Sequence, residues 1–195
     1  MAVTALTDIY NRLVPDLPGI DPYLLAQTTQ DVARQFCVDT EVWKEDCPTF
    51  ETVDSELVYV IPNIYANAVI HRLYNVDIEG TNYDLKLFTL LSDESLCFDA
   101  SITPGTTAQT VTVSAVFRPK EGVDTLSDAV MERWYPAFVA GTKAELMSMT
   151  RKRWSNPQKS AQMKLDYLNH VALAKREAIV GFRNVTMQVK YPRFA

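Results

Sequence analysis

The sequence predicts an α+β fold: a helical bundle, built from an N-terminal helix pair and C-terminal helices with one long helix, that carries an inserted antiparallel β module. Three observations predict it. From Trp154-Ser155-Asn156-Pro157 the chain runs for about seven helical turns with no Gly or Pro until Gly181. Residues 42–118 change to a strand-like pattern, cleanest where Val111, Val113, Ala115 and Phe117 alternate with Thr110, Thr112, Ser114 and Arg118. Helical spacing returns on both sides of that stretch. Residues 1–41 and 119–195 are therefore expected to form a helical domain with a C-terminal arm, and residues 42–118 the β module.

A first helix is expected from Thr4 to Leu13, where Leu6, Ile9, Tyr10 and Leu13 recur at helical spacing. Val14-Pro15 and Leu17-Pro18-Gly19 end it in an elbow. Asp21-Pro22 is a cap followed by a proline at the first helical position, and Leu25, Thr29, Val32 and Phe36 form the next stripe to about Thr40.

Val42 and Trp43 open an extended piece, and Pro48 to Asp54 reads as loop. Glu56 to Ile61 is a short apolar strand closed by Pro62. Ala66 to Tyr74 reads as a strand leading to a turn at Glu79-Gly80, and Tyr83 to Leu91, with Leu85, Leu87 and Leu91 on one side, is expected to complete a hairpin with it. Cys97 to Ile102 is a further strand, and Pro104-Gly105 turns the chain into the strand at 110–118.

After Pro119 a helix starting at Asp124 or Ser127 holds Val130, Met131 and Trp134, and Pro136 is expected to break or kink it. Tyr135 to Met149 then carries Ala137, Ala140, Gly141 and Ala144, small residues that imply close helix contacts. In the long helix, Asn156 caps and Pro157 costs no hydrogen bond. Ala161, Leu165, Leu168, Ala172, Ile179 and Phe182 make one narrow apolar stripe, interrupted by Lys175. It reads as a beam with one buried face, lying across a bundle or a neighbouring subunit. Val185, Met187, Val189 and Tyr191 alternate like a strand or an extended arm, and nothing in the chain repeats internally.

The chain of 195 residues is 47% apolar and 22% charged, ordinary globular material. No apolar run approaches the roughly 18 residues of a membrane span, and the N-terminus lacks a basic leader pattern. A protein without membrane or export signal is expected. Cys37, Cys47 and Cys97, odd in number and widely spaced, read as reduced, buried thiols. The net charge of −5 is unevenly spread: residues 143–195 hold eleven Lys or Arg against three acids, which leaves eight basic and twenty-one acidic residues in the first 142. Opposite poles favour head-to-side self-association or a partner of matching sign; a solvated helix face beside an acidic body explains them equally.

Catalysis has no visible address. His71 and His170 are far apart and lack metal-ligand neighbours, and there is no phosphate loop, nucleophile elbow or metal helix. No catalytic, cofactor-binding or metal-binding residue is marked, and no cofactor is expected. Glu41, Glu45, Asp46, Glu51, Asp54 and Glu56 are dense enough for a cation, but no ordered loop signature fixes them and they read as a solvated acidic face. Arg151-Lys152-Arg153 beside Trp154 has residues suited to phosphate and base stacking; helix C-capping and contact with a partner's acidic face account for it more simply.

The residues Val14 to Gly19, Asp21-Pro22, the helix ending Ala33-Arg34-Gln35-Phe36-Cys37 and the following Glu41-Val42-Trp43-Lys44-Glu45 resemble the opening of the head-to-tail adaptor (connector) proteins of tailed bacteriophages, tail tubular A-like. Leu57-Val58-Tyr59-Val60-Ile61-Pro62 is similar to that family's strand closed by proline. The most specific likeness is Trp154-Ser155-Asn156-Pro157 after a small-residue helix, then the long helix with Ala174-Lys175 and a basic closing arm. The segment between Asp77 and Gln109 matches least.

The resemblance implies a non-enzymatic virion protein of the neck, assembled in the host cytoplasm. It implies a homo-oligomeric ring of about a dozen copies beneath the portal, followed by a downstream tail or nozzle protein. Genomic DNA would pass through during packaging and ejection without specific binding, which suits an acidic wall, and no membrane is involved. Arg151, Lys152, Arg153, Trp154 and Lys175 are the expected ring-interface residues. Lys190, Tyr191, Arg193 and Phe194 are expected at the portal, Phe194 as an apolar plug and Arg193 as a charge partner. The alternative from another class is a soluble regulatory or DNA-binding helical protein.

Overall fold

The computed structural model describes residues 3–180 except 55, 64, 93 and 103–107. Four helices and three antiparallel sheets make up these residues. The helices are α1 (Thr7–Leu13), α2 (Pro22–Thr40), α3 (Asp128–Ser148) and α4 (Pro157–Val180). The strands are β1 (Val3–Ala5), β2 (Lys44–Asp46), β3 (Phe50–Glu51), β4 (Val58–Val60), β5 (Ala68–Ile78), β6 (Thr81–Asn82), β7 (Phe88–Ser92), β8 (Ser95–Phe98), β9 (Thr110–Pro119) and β10 (Thr125–Ser127).

The expected helical bundle with an inserted β module is corrected: the sheets are a major layer of an α+β fold. The largest sheet has the order β2-β9-β5-β6, with β3 also on β9. Its centre is the long β5–β9 ladder, and register shifts at Ile70/Arg72 and Leu73/Asn75 curl it, as bulges do. A second sheet has the order β4-β8-β7. The third pairs β1 with β10, Thr4 opposite Leu126, and so ties the first residues of the chain to the entry of α3. β1 takes the first residues of the stretch expected to be helical from Thr4, where α1 begins only at Thr7, and β10 takes the residues after Asp124, so that of the two expected starts of α3 it is Ser127 that precedes the helix. Three-residue strands are too short to show a period of two, so the helical spacing of Leu6, Ile9 and Leu13 dominates the pattern around β1.

Other expectations hold. Asp21 accepts the Tyr23 backbone N–H (2.9 Å) at the start of α2 and Pro22 follows it. Glu41 ends that helix in the left-handed region, φ 52°, its N–H donating to the Cys37 carbonyl. Val111, Val113, Ala115 and Phe117 of β9 are all fully buried, as their alternation requires.

Several readings fail locally: the expected loop from Pro48 to Asp54 contains β3, and the strand expected from Cys97 to Ile102 is β8, ending at Phe98, with a 3₁₀ turn at Ala100–Ile102 after it. Gly80, at φ 78°, does turn the chain after β5, but only Thr81 and Asn82 return along it. Leu85–Leu87 form a 3₁₀ turn, and β7 pairs with β8 in a different sheet. In addition, of the break or kink expected at Pro136 the break does not occur, since α3 runs through it as one helix.

One cluster of buried side chains joins the layers. Phe36 of α2 packs against Trp134 (5.6 Å between ring centroids) and Phe138 (5.2 Å) of α3. Trp43 lies 5.1 Å from Tyr65 and 6.0 Å from Phe117 of β9. Tyr59, Phe88 and Phe98 fill the inner side of the β4-β8-β7 sheet, Phe98 being 4.9 Å from Tyr59 and 5.1 Å from Phe88.

Candidate assembly surface

The long helix α4 starts where its sequence says it should. Asn156 Oδ1 accepts the Lys159 N–H (3.0 Å), and Ser160 Oγ donates to the Ala144 carbonyl of α3 (2.7 Å). At 100° per residue, Ser160, Met163, Tyr167, Val171 and Ala174 share one face, and all of them are buried or half-buried. The small residues of α3 receive them: Ala137, Ala140, Gly141 and Ala144 are buried, as their density in the sequence implies.

The narrow stripe read from the sequence points the other way. Leu165 is 63% exposed, Leu168 49% and Ile179 84%, with Ala161 and Ala172 exposed between them. Within the chain this is a correction, because the beam's buried face is the Tyr167 face. Phe182, the last member of the stripe, lies outside the described residues. A water-facing stripe that spans the helix, about 27 Å from Ala161 to Ile179 at 1.5 Å per residue, is unfavourable for a helix that stays solvated.

The exposed charges that α4 itself sets beside the stripe are basic, and Asp31, Asp39 and Glu145 of α2 and α3 stand exposed on its other side. Lys164, Lys175 and Arg176 are exposed, whereas Asp166 and Glu177 are half-buried and Glu177 is held by Arg133 (Arg133 Nη2 to Oε1, 2.5 Å). Lys164 reaches Glu145 of α3 at 3.6 Å; Lys175 makes no hydrogen bond or ion pair among the described residues.

Arg151, Lys152 and Arg153 form the turn between α3 and α4, all exposed, with Arg151 in the left-handed region at φ 61°. Trp154 is buried and holds the turn against the core; the Lys152 ammonium lies 5.8 Å from its ring centroid. The structure therefore places four of the five expected interface residues on the surface and one beneath it. Lys190, Tyr191, Arg193 and Phe194 lie outside the described residues.

A cleft of about 260 Å³ lies at the far end of α4, lined by Trp43, Lys44, Tyr74, Trp134, Arg133 and Glu177 among others. Lys44 Nζ donates to the Ala178 carbonyl (2.7 Å) and sits 4.1 Å from the Tyr74 ring centroid. Burial lowers the Lys44 pKa, opposed by Glu41. Glu45 accepts from Trp43 Nε1 (3.1 Å) and from Tyr65 Oη (2.6 Å), and burial with that carboxylate pushes the Tyr65 phenol up to about 12. With Arg133 on Glu177 and Lys44 on the Ala178 carbonyl, the charged groups of this cleft pin α4 to α3 and β2. Sequence could not reveal it, because Lys44 and Ala178 are 134 positions apart.

Three members of the acidic run, Glu41, Glu45 and Asp46, have separate partners. Glu41 meets Arg72 (2.7 Å) and Asp46 accepts from Ser114 Oγ (2.5 Å). Among the described residues no group of His, Cys, Asp and Glu is arranged to hold a metal ion, and no helix is long and apolar enough to cross a membrane. No protein-family model matches the chain, nor does any curated protein.

Proposed function

We propose that the chain is a structural, non-enzymatic subunit of a phage neck, forming a homo-oligomeric ring that joins the portal to the tail and lets the genome pass. The observation that carries this reading is the exposed apolar stripe of α4, a surface that burial against another chain would stabilise. At about 25 cal/mol per Å² of apolar area, each leucine buried from this stripe would contribute on the order of 1–2 kcal/mol. The division between basic residues 143–195 and an acidic remainder supports contacts between unlike faces of identical subunits, the kind that close into rings. The resemblance of the Trp154–Pro157 junction and the long helix to head-to-tail adaptors supplies the portal, the downstream tail protein and the copy number of about twelve.

The test is co-sedimentation with a portal ring beside a DNA band-shift series at increasing salt. This reading predicts retention by the portal and almost no retention of DNA. Protein that ignores the portal but shifts DNA, with a steep loss of affinity as salt rises, would move the case to the regulatory, DNA-binding alternative through the exposed Arg151-Lys152-Arg153 turn.

A further inference from the structure

Strand β4 is an open edge. Phe98 N–H donates to the Leu57 carbonyl (2.8 Å) and Ile61 N–H to the Glu94 carbonyl (2.8 Å), and Tyr59 stands opposite Leu96 between them. Bonded positions alternate in an antiparallel pair, so Leu57, Tyr59 and Ile61 direct their backbone groups to β8, while Val58 and Val60 each direct an N–H and a C=O away from the sheet. β4 ends the sheet order β4-β8-β7, and among the described residues no backbone group pairs with Val58 or Val60. Their side chains are exposed as well, so the edge is uncovered. Natural edges are commonly guarded by Lys or Pro. From Leu57 to Ile61 there is neither.

The segments that flank this edge are acidic. Glu51, Asp54 and Glu56 lead into β4, and Glu94 stands beside Ile61, all of them exposed. Of the bases, Lys86 precedes β7 on the opposite edge, and Lys120 is held on the Ala66 carbonyl (2.9 Å) beyond Pro62. One stretch of the chain has matching chemistry. In residues 181–195, which lie outside the described residues, Val185, Met187, Val189 and Tyr191 alternate with Thr186, Gln188 and Lys190, a sequence pattern that calls for a partner strand. Arg183 and Arg193 fall on the apolar side of that alternation, and the stretch contains no acid. On β4, Glu56 falls on the same side as Val58 and Val60. In either direction, therefore, a register exists that sets apolar side chains beside Val58 and Val60 and an arginine beside Glu56.

We propose that residues 185–191 of a neighbouring copy of this chain add to β4 as a further strand of the β4-β8-β7 sheet. The proposal rests on the ring reading and supplies one of its contacts. Each copy gives one arm and one edge, so the contact is heterologous and runs from subunit to subunit. Backbone hydrogen bonds at Val58 and Val60 hold the added strand, and the side-chain rows and the charges select it.

Hydrogen exchange of the Val58 and Val60 amides tests it, because both point away from β8. Wild type is compared with two full-length variants. Met187→Pro with Val189→Pro removes two N–H groups from the arm and its capacity to pair as a strand; Val60→Pro removes one outward N–H of the edge and leaves the bonds to β8 in place. In assembled wild type both amides are expected to exchange at least about tenfold more slowly than in the arm variant, with the Tyr59 amide, which faces β8, alike in the two. The Val60→Pro chain is expected to dissociate at higher concentration than wild type in light scattering. Equally fast exchange in assembled wild type and in the arm variant overturns the proposal and leaves the ring reading standing. Equal protection in the two overturns it as well, since something other than the arm then covers β4; if that variant has also lost the portal, the arm belongs to the portal. Protection that persists in diluted monomer overturns it by assigning the edge to the arm of the same copy. Wild type that stays monomeric alone and with the portal overturns both readings. Should Val60→Pro fail to fold, as a thermal melt would show, the arm variant still decides, because its changes lie outside residues 3–180.

Discussion

Gly141 of α3 lies against the ring of Tyr167 of α4: a Cβ built on the glycine would stand 2.8 Å from Tyr167 Cδ2 and 2.6 Å from Val32 Cγ1 of α2. This contact sets which way α4 faces. With Tyr167 turned to Gly141, Leu165 and Leu168 are carried round to solvent.

Gly141→Ala should therefore destabilise the fold. Overpacking costs about 1–3 kcal/mol and alanine returns up to about 1 kcal/mol of helix propensity, so a net loss of about 1–2 kcal/mol is expected in urea unfolding. A more stable variant would mean that α3 and α4 do not approach this closely.

Asp16 is bridged by Lys143 of α3 and by Lys159 of α4, the latter at 3.4 Å. The hydrogen bond from Lys143 is the main reason its carboxyl is held below the ordinary 3.8, partly offset by burial. The folded chain thus binds fewer protons here than the unfolded chain, so the stabilisation is complete above pH 3.8 and is lost as pH falls through the lower folded value. Asp16→Asn should lower stability at neutral pH by under about 1 kcal/mol, given solvent screening of a part-exposed group. The melting temperatures of wild type and variant should converge on the acid side, and a constant gap down to low pH would contradict the pairing.

Lys44→Met keeps the stem of the side chain but removes the donor to the Ala178 carbonyl and the cation over Tyr74. A loss of about 1–2 kcal/mol is expected, the range for a charge-assisted hydrogen bond in a part-buried site. Hydrogen exchange should rise first in the last described turn of α4. Unchanged protection there would show that Lys44 does not hold the helix.

The three thiols should react unequally. Burial pushes Cys37 up to about 12, and burial with Asp46 and Glu45 pushes Cys47 up to about 11, whereas Cys97 is part-exposed. A disulfide reagent at neutral pH should titrate one thiol rapidly in the folded protein and three after denaturation. Fast reaction of a second thiol in native protein would contradict the burial of Cys37 and Cys47.

Legibility varied with how local the signal was. The Asp21-Pro22 start of α2, the Asn156 cap of α4 and the alternation of β9 are decided by neighbouring residues, and the sequence shows them plainly. The pairing of β7 depends on β8, so Leu85 and Leu87, although correctly spaced for a strand, lie in a 3₁₀ turn before it. For α4 the apolar spacing was visible but its direction was not. The helix has apolar residues on both faces, and the Gly141–Tyr167 contact, made between helices, selects the inner one. The Lys44 cleft joins positions too distant for any spacing rule.

The most direct test of the account is the mass and shape of the purified protein, alone and mixed with portal, by light scattering and negative-stain imaging, with Leu165→Asp/Leu168→Asp run beside it. A ring from the wild-type chain, formed alone or on the portal and lost in the variant, is the predicted result, and its symmetry gives the copy number. A wild-type monomer under both conditions would contradict the claim that the exposed stripe of α4 exists to be covered by a neighbouring copy.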